Sequence, residues 1–317
     1  MNLLYFLKNY DILYIINKIF FIIAIKILMH FILSLILTFI TTSACLAKHS
    51  KHSSNQKKPQ ITISTILIDM DSKQILQEKE ATKQHSPASL TKLMTLYIAF
   101  SKIKAGEIGF DDKVLVSHKA TLQKPSKIYL KEDDTISVYD LISSIIVHSA
   151  NDSSYALAEY IAGSHETFVK TMNDQAQKLK MYSTNFENAN GLDNKNQFST
   201  ARDIARLSMA LHDDFKEFYP IFAKKDFEYD GRTYNTHNSI VANYDGATGL
   251  KTGFVNSSGY NIASTAKRGD HKVLAVVLGG RTAKERDLYV AELLDYGFTF
   301  LAGRPEENLG YDIVASK

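Results

Sequence analysis

The chain has 317 residues, 45% hydrophobic and 22% charged, which is ordinary globular composition with room for one large domain or two modest ones. A formal net charge of +3 is too small to indicate a protein that binds nucleic acid. The single cysteine, Cys45, excludes an intrachain disulfide framework.

The first 47 residues have the order of a secretory signal. Lysines precede the apolar run ILMHFILSLILTFI at residues 27–40, and small residues then lead to Ala47. We expect cleavage after Ala47. Two alternatives stay open: translation starts at Met29, or the segment remains as an uncleaved anchor. Cys45 is a further candidate, as a lipoprotein acylation site.

Four regions follow from these patterns. Residues 1–47 are the signal peptide or anchor, and residues 48–60, KHSKHSSNQKKPQ, are predicted to be a flexible basic linker. Residues 61–303 are predicted to form the folded domain, and residues 304–317 a short tail.

The folded region begins and ends with strand patterns. ITISTILIDM and QILQEK around the turn DSK predict a hairpin, and GYNIASTAKRGDHKVLAVVLGG predicts two strands joined through Gly269 and Asp270. A helix is predicted over residues 87–105, with Ser86 as N-cap and Gly106 as the stop. Because strands at both ends enclose a run of helices, we expect one sheet built from distant segments plus a helical insertion.

That run of helices carries recognisable capping signals. Ser137 with Asp140 precedes SVYDLISSIIV, and Thr200 with Asp203 precedes ARDIARLSMAL. Helices are also predicted over DSSYALAEYIAG, HETFVKTMNDQAQKLK and, near the end, KERDLYVAELLDYGFTFL.

Three short motifs stand out within this framework. PASLTKLMT at 87–95 puts Ser89 and Lys92 three residues apart on one helix face, where a lysine can reach a serine hydroxyl. HSANDS puts Ser149 and Asn151 in a loop between two helices, and GATGLKTGFVNSSGYN carries the run Lys251-Thr252-Gly253 on a strand pattern. Each also has a purely structural explanation: a helix start, a cap of the next helix, and a surface hairpin.

In this order the three motifs resemble the low-molecular-mass penicillin-binding proteins, specifically the serine D-alanyl-D-alanine carboxypeptidase family. NFENANGLDNKNQFSTARDIA and GGRTAKERD add to the resemblance, which covers about residues 61–303. It implies an α+β fold of the β-lactamase/transpeptidase type, with an antiparallel sheet flanked by helices and an all-helical lobe.

The resemblance also implies roles for individual residues. Ser89 matches the nucleophile, Lys92 its base, and Ser149 a proton relay. Asn151, Lys251, Thr252 and Gly253 match substrate-binding positions, and Arg286 matches an arginine that meets the substrate carboxylate, although a surface ion pair with Asp287 or Glu285 also explains it. The backbone amides of Ser89 and Phe254 match the oxyanion hole.

The implied activity is release of the terminal D-alanine from peptidoglycan stem peptides through an acyl-enzyme that penicillin also forms. Cleavage of peptidoglycan crosslinks by a D,D-endopeptidase is one alternative, and a non-catalytic penicillin sensor or wall-binding module is another. No HExxH, paired CxxC or phosphate loop occurs, so we expect no metal and no cofactor. Glu187 lies where a β-lactamase would need its deacylating glutamate, but FENANGL matches the carboxypeptidases.

The expected partners are therefore stem peptides and β-lactam antibiotics. The expected location is the periplasm or the outer face of the cytoplasmic membrane of a bacterium. Many members of the family continue into a strand-rich domain and an amphipathic anchor helix, whereas only AGRPEENLGYDIVASK follows the last helix here. We therefore expect any membrane attachment to come from the N-terminus.

Overall fold

The computed structural model describes residues 18–34 and 62–303. Residues 18–34 form helix α1, whose apolar side chains, Phe20 and Phe31 among them, are exposed. In these two ranges, no helix combines the length and the apolar character needed to cross a bilayer. The predictions for cleavage after Ala47, acylation of Cys45, the linker and the tail lie outside the described residues.

One five-stranded antiparallel sheet organises residues 62–303. Its order is β2-β1-β9-β8-β7, with strands β1 Ser64–Asp69, β2 Ile75–Lys79, β7 Ala247–Val255, β8 Gly259–Arg268 and β9 His271–Gly280. The two predicted hairpins are confirmed as β1–β2 and β8–β9. β1 pairs with β9, so the sheet joins the two ends of the domain, as predicted.

The sheet is apolar on both faces. Alternation along β9 sends Val273, Ala275 and Val277 to one core and Leu274, Val276 and Leu278 to the other, as the period of two in a strand requires. Helix α9, Ala283–Leu301, covers the first face. The second face shares its core with the helical lobe.

The helical lobe fills the interval between β2 and β7. Its main helices are α2 Lys92–Lys104, α4 Val138–His148, α5 Asn151–Ala162, α6 His165–Lys178 and α7 Ala201–Asp214. Two capping predictions are confirmed: the hydroxyls of Ser137 and Thr200 accept from the amides of Asp140 and Asp203 at 3.0 and 3.1 Å.

Several short elements carried no recognisable pattern. They are the hairpin of β3 Lys113–Leu115 and β4 Thr135–Ser137, the hairpin of β5 Asp226–Tyr229 and β6 Arg232–Asn235, and the short helices α3 His118–Thr121 and α8 Ser239–Asn243. With three to five residues each, they are too short for periodicity to reveal.

The segment that carries Ser89 differs from the predicted helix. A 3-10 helix over Ala88–Thr91 precedes α2, and Ala88 has a φ of 51°. The assignment of Ser86 as N-cap is wrong, because Pro87 holds the N-cap position of the 3-10 helix and the buried Ser86 hydroxyl has no partner among the described residues. The predicted stop is confirmed, since Gly106 follows the C-cap with a φ of 71°.

Candidate active site

A cleft of about 360 Å³ brings the sequence-predicted residues together. One wall is the edge strand β7, and the other is formed by the 3-10 helix of Ser89 and the junction between α4 and α5. The predicted residues that line it are Ser89, Ser149, Asn151, Thr252, Gly253, Phe254 and Arg286. The remaining two, Lys92 and Lys251, are buried residues with exposed fractions of 0% and 2%.

Lys92 has three hydrogen-bonding neighbours. Its Nζ lies 3.0 Å from Ser89 Oγ, donates to Asn151 Oδ1 at 2.7 Å and donates to the backbone oxygen of Asn190. A neutral amine has two N–H donors and one lone pair. The two oxygens can take both donors, which leaves the lone pair directed at the Ser89 hydroxyl.

The surroundings of Lys92 favour that neutral form. Burial holds the pKa of Lys92 well below its ordinary value, and the positive charge of Lys251 lowers it further, while Asp152 opposes both effects. A lysine can act as a base only when it is deprotonated, so these effects favour the form of Lys92 that is able to accept a proton.

Ser149 and Asn151 are positioned by the break between two helices. Ser149 is the C-cap of α4 in the left-handed region, with a φ of 61°, and Asn151 begins α5. The cap explanation for Asn151 is wrong, because Ala150 holds the N-cap position and the Asn151 amide group instead donates to the Lys124 oxygen at 2.8 Å. Asn151 therefore ties the loop at Lys124 to Lys92.

Lys251 and Thr252 both lie on β7. Thr252 lines the cleft, whereas Lys251 is buried next to it. Burial lowers the pKa of Lys251 to about 7, with a further contribution from the positive charge of Arg286. Lys251 Nζ donates to the backbone oxygen of Thr252 at 3.1 Å. An anion that binds beside Lys251 raises this pKa and so favours the charged ammonium.

Two glycines press against the amide of Ser89. A Cβ on Gly253 would lie 2.9 Å from the Ser89 nitrogen, and a Cβ on Gly191 would lie 2.0 Å from the Ala88 oxygen. The close approach that a glycine within a strand predicts is therefore made by the backbone at Ala88 and Ser89. It places strand β7 directly beside the Ser89 N–H.

Arg286 combines the two predicted arrangements: it forms an ion pair with Asp287, and it lines the cleft. It forms an ion pair with Asp287 at 2.6 Å and donates to the Asn261 oxygen at 3.2 Å, while Glu285 pairs with Arg281 instead. Arg286 is nevertheless 4% exposed and lines the cleft, so its ion pair is not a surface one.

Sequence reasoning missed part of the cleft. Asn190, Gly191, Leu192, His237 and Tyr260 line it as well. NANGL was available as a signal, because it belongs to the stretch that carries the resemblance, but no residue in it was assigned a role. His237 had no local pattern at all.

Glu187 does not reach the cleft. Its carboxylate accepts from the Asn185 side chain at 2.9 Å, and Glu187 is not among the lining residues. The site therefore does not place Glu187 where a β-lactamase would need its deacylating base. Within residues 18–34 and 62–303, no three side chains of His, Cys, Asp or Glu gather as metal ligands.

Comparison with known proteins decides the family. A family model described as D-alanyl-D-alanine carboxypeptidase, peptidase S11, matches residues 51–282. The chain belongs to this family. The D-alanyl-D-alanine carboxypeptidase DacC of Escherichia coli is 39% identical over 242 residues, which are 74% of this chain and 60% of that protein. The peptidase S11 chain thus spans about three-fifths of the length of this relative.

Solved structures agree with the fold. Penicillin-binding protein 5 from Haemophilus influenzae is 35% identical with a TM-score of 0.73, covering 76% of this chain and 72% of that one. Penicillin-binding protein D2 from Listeria monocytogenes, in its ampicillin-bound form, is 32% identical with a TM-score of 0.68, covering 74% and 96%. The predicted α+β fold of the penicillin-binding and transpeptidase type is confirmed for this peptidase S11 chain.

Proposed function

We propose that the chain is a serine D-alanyl-D-alanine carboxypeptidase that releases the terminal D-alanine of peptidoglycan stem peptides. One observation carries the proposal: the buried Lys92, whose pKa burial lowers, has Ser89 Oγ at 3.0 Å and two other oxygens for its N–H groups. This is the arrangement of a nucleophile and its base, in a chain of the carboxypeptidase family.

Acylation would begin with attack of Ser89 Oγ on the carbonyl between the two D-alanines, while Lys92 takes the serine proton. The oxygen of the tetrahedral intermediate would accept from the backbone N–H groups of Ser89 and Phe254. Its collapse breaks the C–N bond, and Ser149 passes a proton to the leaving amine. Free D-alanine and an ester on Ser89 result, and water then hydrolyses the ester.

Recognition of the substrate carboxylate would fall to Lys251, Thr252 and Arg286. The two cations lie close enough for Arg286 to lower the pKa of Lys251, so an anion between them relieves their mutual repulsion. Asn151 would hold the substrate amide. The same site would accept β-lactams, as the ampicillin-bound and cefotaxime-bound forms of the Listeria relative show for that protein.

The test is D-alanine release from a synthetic pentapeptide ending in D-Ala-D-Ala, with the full-length chain and its Ser89→Ala variant, beside a crosslinked dimer peptide. We expect release from the pentapeptide and none from the variant. Cleavage of the dimer alone would replace the proposal with an endopeptidase, and penicillin labelling without any turnover would replace it with a sensor.

We further propose that the protein is exported and acts in the periplasm or at the outer face of the cytoplasmic membrane, in biosynthesis of the wall and control of cell shape. Support comes from the apolar run at 27–40 and the small residues before Ala47. Mass spectrometry of the mature N-terminus distinguishes Lys48, an acylated Cys45 and an uncleaved anchor; an unprocessed cytosolic chain would contradict export.

A further inference from the structure

An aromatic pair forms part of the cleft surface beside Ser89. Phe254 on β7 stands opposite Tyr260 on β8, and residues opposite each other in an antiparallel pair project from the same face. Their ring centroids lie 4.4 Å apart, with the planes inclined at 34°. Both residues line the cleft.

Phe254 is unusually open to solvent for a phenylalanine. It is 49% exposed, whereas Phe100, Phe168 and Phe186 are fully buried in the core. Leu192 and Val255 add apolar surface to the same cleft. Because apolar side chains that converge in a concave site favour ligand burial, this end of the cleft fits an apolar group better than a charged one.

The position of the pair relative to Ser89 indicates which part of a ligand it meets. Thr252 and Phe254 are two residues apart on β7, so they share a face and are separated by about 7 Å along the strand. Thr252 belongs to the proposed carboxylate anchor, and the Phe254 amide to the proposed oxyanion hole. A ligand anchored at Thr252 and attacked by Ser89 therefore directs its acyl side toward the rings.

Tyr260 is held in place from behind. A Cβ on Gly280 would lie 3.1 Å from the backbone oxygen of Tyr260 and 2.9 Å from Arg286 Cβ, so Gly280 packs against both without room for a side chain. This packing fixes the backbone position of Tyr260, whose ring in turn contacts the ring of Phe254.

We propose that Phe254 and Tyr260 form an aromatic platform that selects ligands with an aryl or other flat apolar group on the acyl side of the bond that Ser89 attacks. The inference rests on the proposed function, since it concerns the same cleft. Stacked and tilted aromatic contacts supply the selectivity, and they do so without any charged group.

The test compares two penicillins on the full-length chain. Benzylpenicillin carries an aryl group on its acylamino side chain, and 6-aminopenicillanic acid has the same bicyclic nucleus without it. The second-order rate constant for acylation of Ser89 is measured for both, and their ratio is compared in the unaltered protein, Phe254→Leu, Tyr260→Leu and the double variant. Tyr182→Leu is the matched control, because Tyr182 is 69% exposed and does not line the cleft.

We expect the double variant to reduce the preference for benzylpenicillin about ten-fold, which is the upper end of what loss of an aromatic contact does to a rate constant. Tyr182→Leu leaves the ratio unchanged. An unchanged ratio in folded, acylated platform variants overturns the inference, and so does an equal loss with both compounds. Failure of the unaltered protein to react with either compound overturns the proposed function itself, and the platform with it.

Discussion

Replacing Gly191 by alanine tests whether the backbone of Ser89 is held in place from outside its own helix. Gly191 has a φ of 80°, and an added Cβ would lie 2.0 Å from the Ala88 oxygen. Ordinary contact begins near 3.4 Å, so the Ala88–Ser89 peptide has to move by about 1.4 Å. This peptide carries the N–H group proposed for the oxyanion hole.

The expected loss follows from that displacement. A shift of about 1 Å in a catalytic group costs about 100-fold in rate, and loss of one oxyanion donor costs about 100-fold to 1,000-fold. We therefore expect Gly191→Ala to slow acylation by penicillin at least about 100-fold. The assay is the second-order rate constant for covalent labelling, read as intact-protein mass against time.

Gly163→Ala is the matched control. Gly163 has a φ of 74°, so alanine there meets the same backbone cost of about 1–2 kcal/mol, but nothing lies within 4 Å of the added Cβ. We expect Gly163→Ala to lower the midpoint of thermal unfolding while leaving acylation unchanged. The expected loss for Gly191→Ala is about 100-fold. A labelling rate within about two-fold of that of the unaltered protein would therefore refute the reasoning.

Further predictions concern the two buried lysines, Glu187 and metals. Lys92→Met is expected to lower D-alanine release about 100-fold to 10,000-fold, because the base is lost; the assay is steady-state turnover. Removal of a general base costs at least about 100-fold, so a loss below about ten-fold would contradict that role. The pKa of Lys251 is about 7 in the folded protein against an ordinary 10.5, so the unfolded chain binds more protons between these values and the free energy of unfolding rises with pH there. Denaturant titrations from pH 7 to about 10 are expected to show a smaller rise in Lys251→Met, and equal slopes would contradict a depressed pKa. We expect the protein to release bound penicillin slowly and Glu187→Gln to leave the release rate unchanged, because Glu187 does not line the cleft; a longer-lived adduct would assign Glu187 to deacylation. A chelator is expected to leave D-alanine release unchanged, and loss of this activity would indicate a metal.

Much of the site could be predicted because its chemistry lies in short continuous motifs. Ser89 with Lys92, Ser149 with Asn151, and Lys251 to Gly253 each combine a local spacing with an element that the hydrophobic pattern also indicates. Their order along the chain then distinguishes them from chance occurrences of the same spacing.

The parts of the site that could not be predicted depend on contacts between segments that are distant in the sequence. Asn190 accepts from Lys92 across 98 positions of the chain, and Gly191 meets Ala88 from the same loop. No local pattern reports such a contact. The wrong cap at Ser86 has a similar origin, because its prediction assumed a helix beginning at Pro87, whereas Ala88 turns the chain through a positive φ beside Gly191 and Gly253.

The central claim is that Ser89 is the nucleophile. Its most direct test is incubation of the full-length chain with benzylpenicillin, followed by proteolysis and mass spectrometry of the labelled peptide, beside the Ser89→Ala variant. The account predicts a single penicilloyl group on Ser89 and none in the variant. A label on another residue, or one that persists in Ser89→Ala, would contradict it.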